Sequence, residues 1–277
     1  MERAGAACFF SPAGRRNTAE TRTTSGVPVP ALDTTTLLMV LATFVVAGIV
    51  KGVTGMGLPT VAMGVLGLFM PPVAAAGLLI LPSFITNIWQ LLAGPDFRAI
   101  VKRLWPMMIA IALGTLIGIR LMTSGTGIWT TSALGLCLAA YVAYSLFAKP
   151  SAIPARLEPK LSPAIGLATG LLTGGTGIFV VPAVPYIQSL GFSRDDLVQA
   201  LGLSFTVSTI ALAAGLTSQG AFHVEHLSLS AIAVLPALIG MWLGQKIRHI
   251  VSPATFRRWF LICLLLLGTE LFLRAFY

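Results

Sequence analysis

Long apolar runs fill this chain, falling near residues 34–51, 53–70, 73–94, 104–122, 127–147, 163–190, 197–218, 227–245 and 257–276. A run of about 20 apolar residues crosses roughly 30 Å of hydrocarbon as a helix, and several of these are that long. Only 10% of the 277 residues are charged and 56% are hydrophobic, with a mean hydropathy of +0.89. A soluble domain carries about 25% charged residues, so these charges are too few to coat a water-facing surface. The sequence predicts an all-α, polytopic membrane protein.

The net charge of +9 is not a nucleic-acid signal in such a chain, because Lys and Arg collect in cytoplasmic loops of membrane proteins. Cys8, Cys137 and Cys263 show no CxxC spacing and no neighbouring His cluster, so no disulfide framework, metal site or cofactor is expected. Residues 1–33 are rich in Arg, Thr, Ser, Pro and Gly without a continuous apolar core, and read as a disordered tail rather than a signal peptide.

The hydrophilic breaks are short, the longest being KPSAIPARLEPKLSP at 149–163. It divides two similar halves, 34–148 and 163–277, with a cytoplasmic linker over 149–162. Gly48, Gly52, Thr54 and Gly55 match Gly170, Gly174, Thr176 and Gly177 at a constant offset of 122. Ser83-Phe84 matches Ser204-Phe205, and Ala93-Gly94 matches Ala214-Gly215, at an offset of 121. Gly114-x3-Gly118 answers Gly240-x3-Gly244, a spacing that reads as close helix packing.

Loop charges orient the halves. Arg98, Lys102 and Arg103 lie in one loop, Lys149, Arg156 and Lys160 in the linker, and Lys246, Arg248, Arg257 and Arg258 in a third loop. The loops at 123–126 and 219–226 carry no Lys or Arg. The first three belong in the cytoplasm and the other two outside. This works only if 163–190 enters and returns on the same face, as a broken hairpin. By the repeat, 34–70 is the matching hairpin from the opposite face, which places the tail outside despite its four arginines. The expected architecture is two inverted repeats, each a Gly-rich broken hairpin plus three transmembrane helices, with 8–10 membrane segments in all. Secondary transporters are commonly built this way.

Broken helix is tolerated in a membrane only inside protein or beside a watery cavity. The stretches GIVKGVTGMGLP (48–59) and GLLTGGTGIFVVP (170–182) would bare backbone amides beside half-helix termini, a setting suited to a small anion. The candidate binding residues are therefore Lys51, Gly52, Thr54, Gly55 and Gly57 in the first break, and Thr173, Gly174, Gly175, Thr176 and Gly177 in the second. Lys51 is the one lysine or arginine deep within an apolar run, and an intramembrane charge is a functional residue by default. Ser83, Thr86, Asn87 and Gln90 form one helix-face stripe; Ser83 and Asn87, with Ser204 and Ser208 of the second half, would line the solute path. Glu270, near Arg274, is read as interfacial, and His223, Glu225 and His226 as a solvated loop. No HExxH, GxSxG or Walker motif is present, which argues against an enzyme. A structural membrane subunit, or a permease for a non-anionic metabolite, are the alternatives.

The stretches GIVKGVTGMGLP, LPSFITNIWQLLAG and GLLTGGTGIFVVPAVPYIQSLGFSRDDLVQALGLSFTVS, together with the duplication, resemble the sulfite exporter TauE/SafE family, also called toluene-sulfonate uptake permeases, over residues 35–276. The first stretch departs from the glycine-denser pattern of many members at Lys51, Met56 and Leu58-Pro59. The resemblance implies a bacterial inner-membrane transporter of sulfite, sulfonates or related sulfur-containing and organic acids, with the lipid bilayer and a small anionic solute as partners and no nucleic acid.

Overall fold

The computed structural model describes residues 34–124, 127–147, 152–221, 224–248, 250 and 253–274. The tail expected over 1–33, Lys149 and His223 lie outside them. The described residues form ten helices and no strand: α1 (Thr34–Thr54), α2 (Leu58–Leu66), α3 (Pro72–Leu92), α4 (Phe97–Ser124), α5 (Gly127–Phe147), α6 (Glu158–Thr176), α7 (Ala183–Gln188), α8 (Arg194–Ser218), α9 (Val224–Ile247) and α10 (Pro253–Leu273). The protein is an all-α polytopic membrane protein. Among the described residues six helices, α1, α3, α4, α5, α8 and α9, are long and apolar enough to cross. The others include the half-helices α2 and α7, too short to span, and α10, which carries Arg257, Arg258 and Glu270.

Helix direction follows from side-chain and glycine contacts. Asn87 of α3 meets Thr209 of α8, and Gly202 abuts Leu91, so these two helices run antiparallel through the middle of the protein. Gln199, near the start of α8, bonds the Leu91 and Gly94 carbonyls and the Asp96 amide, so α8 begins where α3 ends and α4 starts. The start of α6 joins the same face through Arg103, which holds Glu158 in a two-pronged ion pair at 2.7 and 2.8 Å.

The second hairpin returns to this face. After the break α7 descends, and the Ile153 amide, just before α6, donates to the Ser189 carbonyl just after α7 at 3.1 Å. The Ser162 and Tyr186 hydroxyls close the two arms at 2.6 Å. Arg103 caps this mouth by donating to the Leu190 carbonyl and lying over the Phe192 ring. Chain order carries α9 and α1 to the opposite start: α8 ends on the far face, α9 begins there, and α1 runs parallel to α9. Hence the first hairpin enters from the far face. Its mouth is held in a related way, since Arg274 pairs with Glu270 and donates to the Leu68 carbonyl, the position 122 residues before Leu190.

Each hairpin packs on the other half of the chain, through glycine. Carbon atoms added at Gly48 and Gly52 of α1 would fall 2.3 and 2.2 Å from the Ala237 and Met241 carbonyl oxygens of α9, while Gly240 and Gly244 face Val45 and Ile49 in return. The counterpart joins α6 to α4: Gly166, Gly170 and Gly174 sit against Met107, Ile111 and Thr115, and Gly114 and Gly118 against Leu167 and Leu171. Lipid gives helices no hydrophobic reason to associate, so close backbone approach through small residues supplies dispersion and weak Cα–H contacts instead. The pairs expected from sequence to pack are thus partners of the hairpin glycines.

A methyl group at Gly170 or Gly240 has nowhere to go, being 2.2 and 2.1 Å from backbone oxygens. We expect Gly170→Ala and Gly240→Ala each to destabilise the protein by about 1–3 kcal/mol through overpacking, read as a lowered thermal midpoint in detergent. Gly175→Ala, where nothing lies within 4 Å, should not lower it.

Candidate functional site

Both hairpins break at the same chemistry. Gly55 and Gly177 adopt left-handed φ of 78° and 74°, a conformation that costs glycine nothing, and their amides close the last turn on the Lys51 and Thr173 carbonyls at 2.8 Å each. The preceding threonines complete the cap. Thr54 donates to the Val50 carbonyl and accepts from the Met56 amide; Thr176 does the same with Leu172 and Ile178. The first chain then turns through Gly57, at φ 100°, into α2, whose Pro59 gives up no needed amide at a helix start. The second runs through buried Ile178, Phe179 and Val180 to α7. The bonds across this break use the Gly177 and Ile178 amides and none of those of Phe179, Val180 or Val181.

The two breaks come together beside the middle of α5. The Tyr141 hydroxyl lies 4.0 Å from the Met56 sulfur, the Cys137 thiol interacts with Thr176, and Gly177 sits against the Met63 side chain of α2. On their other side stands the antiparallel α3–α8 pair with its polar faces turned inwards. Ser83, Thr86, Asn87, Ser204 and Ser208 are fully buried, and Thr209 is nearly so.

Lys51 reaches into this seam from α1. Its side chain is 3% exposed, and it is the only charged residue among the buried side chains of the described residues. Its ammonium donates to Asn87 Oδ1, and the Asn87 amide donates on to Thr209 at 3.4 Å. An ammonium has three donors, and Asn87 is its hydrogen-bond partner among the described residues. Gln90, one turn further, donates to the Gly55 and Val198 carbonyls at 2.9 Å each, which ties the first break to α3 and α8.

The seam also leaves polar groups unpaired. The hydroxyl oxygens of Ser83, Ser204 and Ser208, with Gln90 Oε1, are buried and without a hydrogen-bond partner. Such atoms cost about 1–3 kcal/mol each when unsatisfied, and all four belong to α3 or α8, the helices that bring Asn87 and Thr209 to Lys51. Hydroxyl donors and an amine are groups whose chemistry suits an anion.

The sequence model of the family described as Sulfite exporter TauE/SafE matches residues 40–271. The chain belongs to that family. No curated protein and no solved structure gives a match. As a TauE/SafE member with six helices long and apolar enough to cross a membrane among its described residues, the chain is a multi-pass membrane protein of a transporter family.

The candidate residues expected from sequence divide into three groups, with Gly175 apart. Lys51, Ser83, Asn87, Ser204 and Ser208 are the polar residues of the α1, α3 and α8 seam. Gly55, Gly57 and Gly177 shape the breaks, with Thr54 and Thr176 spending their hydroxyls on the caps and Thr173 donating to the Ile178 carbonyl. Gly52 and Gly174 face neighbouring helix backbones, because one glycine pattern serves both close packing and helix breaking. Gly175 is buried yet faces open space. Gln90, Gln199 and Thr209 were absent from that set. Gln90 and Thr209 carry a signal, the polar stripe and its repeat; Gln199, in the second turn of α8, carries none.

Removing the Asn87 amide strands the Lys51 ammonium. We expect Asn87→Leu to destabilise by about 2–3 kcal/mol, the cost of losing a bond to a charged group and orphaning it. Adding Lys51→Met should recover most of that loss, and a double-mutant cycle of thermal midpoints measures the coupling.

Proposed function

We propose that this chain is a secondary transporter of small anions, sulfite, sulfonates or related sulfur-containing or organic acids, in the cell membrane of a bacterium. The observation that carries the reading is the seam between α3 and α8: buried, unpartnered Ser83, Ser204 and Ser208 hydroxyls beside a buried Lys51 with no carboxylate among the buried side chains of the described residues. Family membership supports the chemical class of the solute.

The solute would sit in the seam, with Lys51 offsetting its charge and the serine hydroxyls replacing its water. Backbone amides around Gly57 and around Phe179–Val181 would complete the shell. Movement of the hairpins against the central helices would open the seam to each face in turn, the alternating access that inverted repeats support. The unit that moves would be a hairpin with its glycine-packed partner, α1 with α9 and α6 with α4, because those contacts are backbone-close and do not slide easily. The repeats themselves would then span 34–148 and 163–277, joined by the 149–162 linker.

Uptake or efflux of labelled sulfite and sulfonates by protein reconstituted in liposomes tests the reading. We expect Lys51→Ala to lower transport at least about tenfold, the worth of one charge-assisted contact, while its thermal midpoint falls far less than that of Gly170→Ala. Unchanged transport in that variant removes Lys51 from the site.

A further inference from the structure

Thr60, in the first turn of α2, departs from what buried threonines elsewhere in these helices do. Thr86, Thr115, Thr206 and Thr209 each donate to the carbonyl four residues back, the usual partner of a hydroxyl inside a helix. For Thr60 that carbonyl belongs to Met56, which lies outside α2 and already accepts from Thr54 at 2.7 Å. Thr60 is 0% exposed, and its hydroxyl has no hydrogen-bond partner.

The backbone around it is left open in the same way. Gly57 begins α2 at a left-handed φ of 100° and offers no side-chain cap, and Pro59 has no amide to give. The bond that opens the helix runs from the Val61 amide to the Gly57 carbonyl at 2.9 Å. It uses neither the Leu58 nor the Thr60 amide. Side chains lean towards the N-terminus of their helix, so the Thr60 hydroxyl leans to the end where these two amides lie. Residues three and four further on share its face: Met63 lies against Gly177 of the second break, and Gly64 faces Leu138 of α5. The first turn of α2 thus faces the place where the two breaks meet beside α5. By the offset of 122 Thr60 corresponds to Pro182, so the second break has no equivalent hydroxyl.

We propose that Thr60 binds the transported anion, its hydroxyl and the Leu58 and Thr60 amides donating to oxygens of a small oxyanion at the start of α2. The helix dipole favours negative charge at that end. This rests on the anion-transport reading and adds to it a binding side chain outside the α3–α8 pair. A hydroxyl that has no partner in the empty protein and gains one from the solute stabilises the loaded state alone.

Thr60→Val removes the hydroxyl and keeps the branched shape. Binding of sulfite and of methanesulfonate to the purified full-length protein is measured by thermal shift, against sodium chloride at matched ionic strength. We expect Thr60→Val to weaken both at least about tenfold, the worth of one hydrogen bond to a charged group. The midpoint of the anion-free protein should not fall, because the hydroxyl makes no bond there. Thr60→Ser, which restores a hydroxyl, should recover most of the affinity. Wild-type affinity in Thr60→Val, or affinity that falls only together with the anion-free midpoint, overturns the role of Thr60 and leaves the anion reading in place. Thr60→Ala is read in the same way should Thr60→Val not fold. No stabilisation of the wild-type protein by either probe, or by any other sulfur oxyanion, overturns the anion reading itself and this inference with it.

Discussion

Hydrocarbon offers no hydrogen bonds, so every backbone group at membrane depth must find a partner in protein or in enclosed water. Two interrupted helices in one small chain are therefore a heavy demand, and the rest of the architecture answers it. The caps at Gly55 and Gly177 return the end carbonyls of α1 and α6 to their own chain. The threonine hydroxyls of Thr54 and Thr176 take up the first amide beyond each cap. Gln90 reaches over to the Gly55 carbonyl. Each hairpin is shielded from lipid on one side by a full spanning helix of the opposite half, at a distance only glycine permits.

That shielding explains why the hairpin glycines come in two sets. The upstream set, Gly48 and Gly52 or Gly166, Gly170 and Gly174, recurs every four residues and lies along one side of a helix. The downstream set, Gly55 and Gly57 or Gly177, takes positive φ and ends that helix. Without the first set the break would face lipid; without the second there would be no break. Partners are exchanged between the halves, since α1 packs on α9 and α6 on α4. The crossed contacts α1–α9 and α4–α6 tie them together around the antiparallel α3–α8 pair.

Much of this was legible in the sequence. The runs of about 20 apolar residues required spanning helices, the 122-residue offset required a duplication, and loop charges required one hairpin from each face. The contacts of Ile153 with Ser189 and of Gln199 with Asp96 place the chain ends as that scheme demands. What could not be read was the division of labour among the glycines, since small-xxx-small spacing looks the same whether a residue packs or breaks. Nor could the occupation of Thr54 and Thr176, because a cap bond depends on the local backbone turn rather than on residue type. Gln199 tied α3 to α8 without any sequence sign, for its partners are backbone carbonyls about a hundred residues away, which no local pattern records.

Duplication hands a protein two copies of every residue, so differences between the copies carry information that the shared features do not. The caps kept their glycines and threonines because the backbone problem is the same on both sides. Other positions diverged: Lys51 corresponds to Thr173, and Gln90 to Ala211 at the offset of 121. A buried lysine is costly to hold charged in a dry interior. No carboxylate among the buried side chains of the described residues relieves even the one that is present. On the transport reading proposed above, a lysine held by one neutral amide is costly while the seam is empty and offsets a charge when it is filled. Its cost when empty and its use when filled are the same electrostatic term with opposite sign.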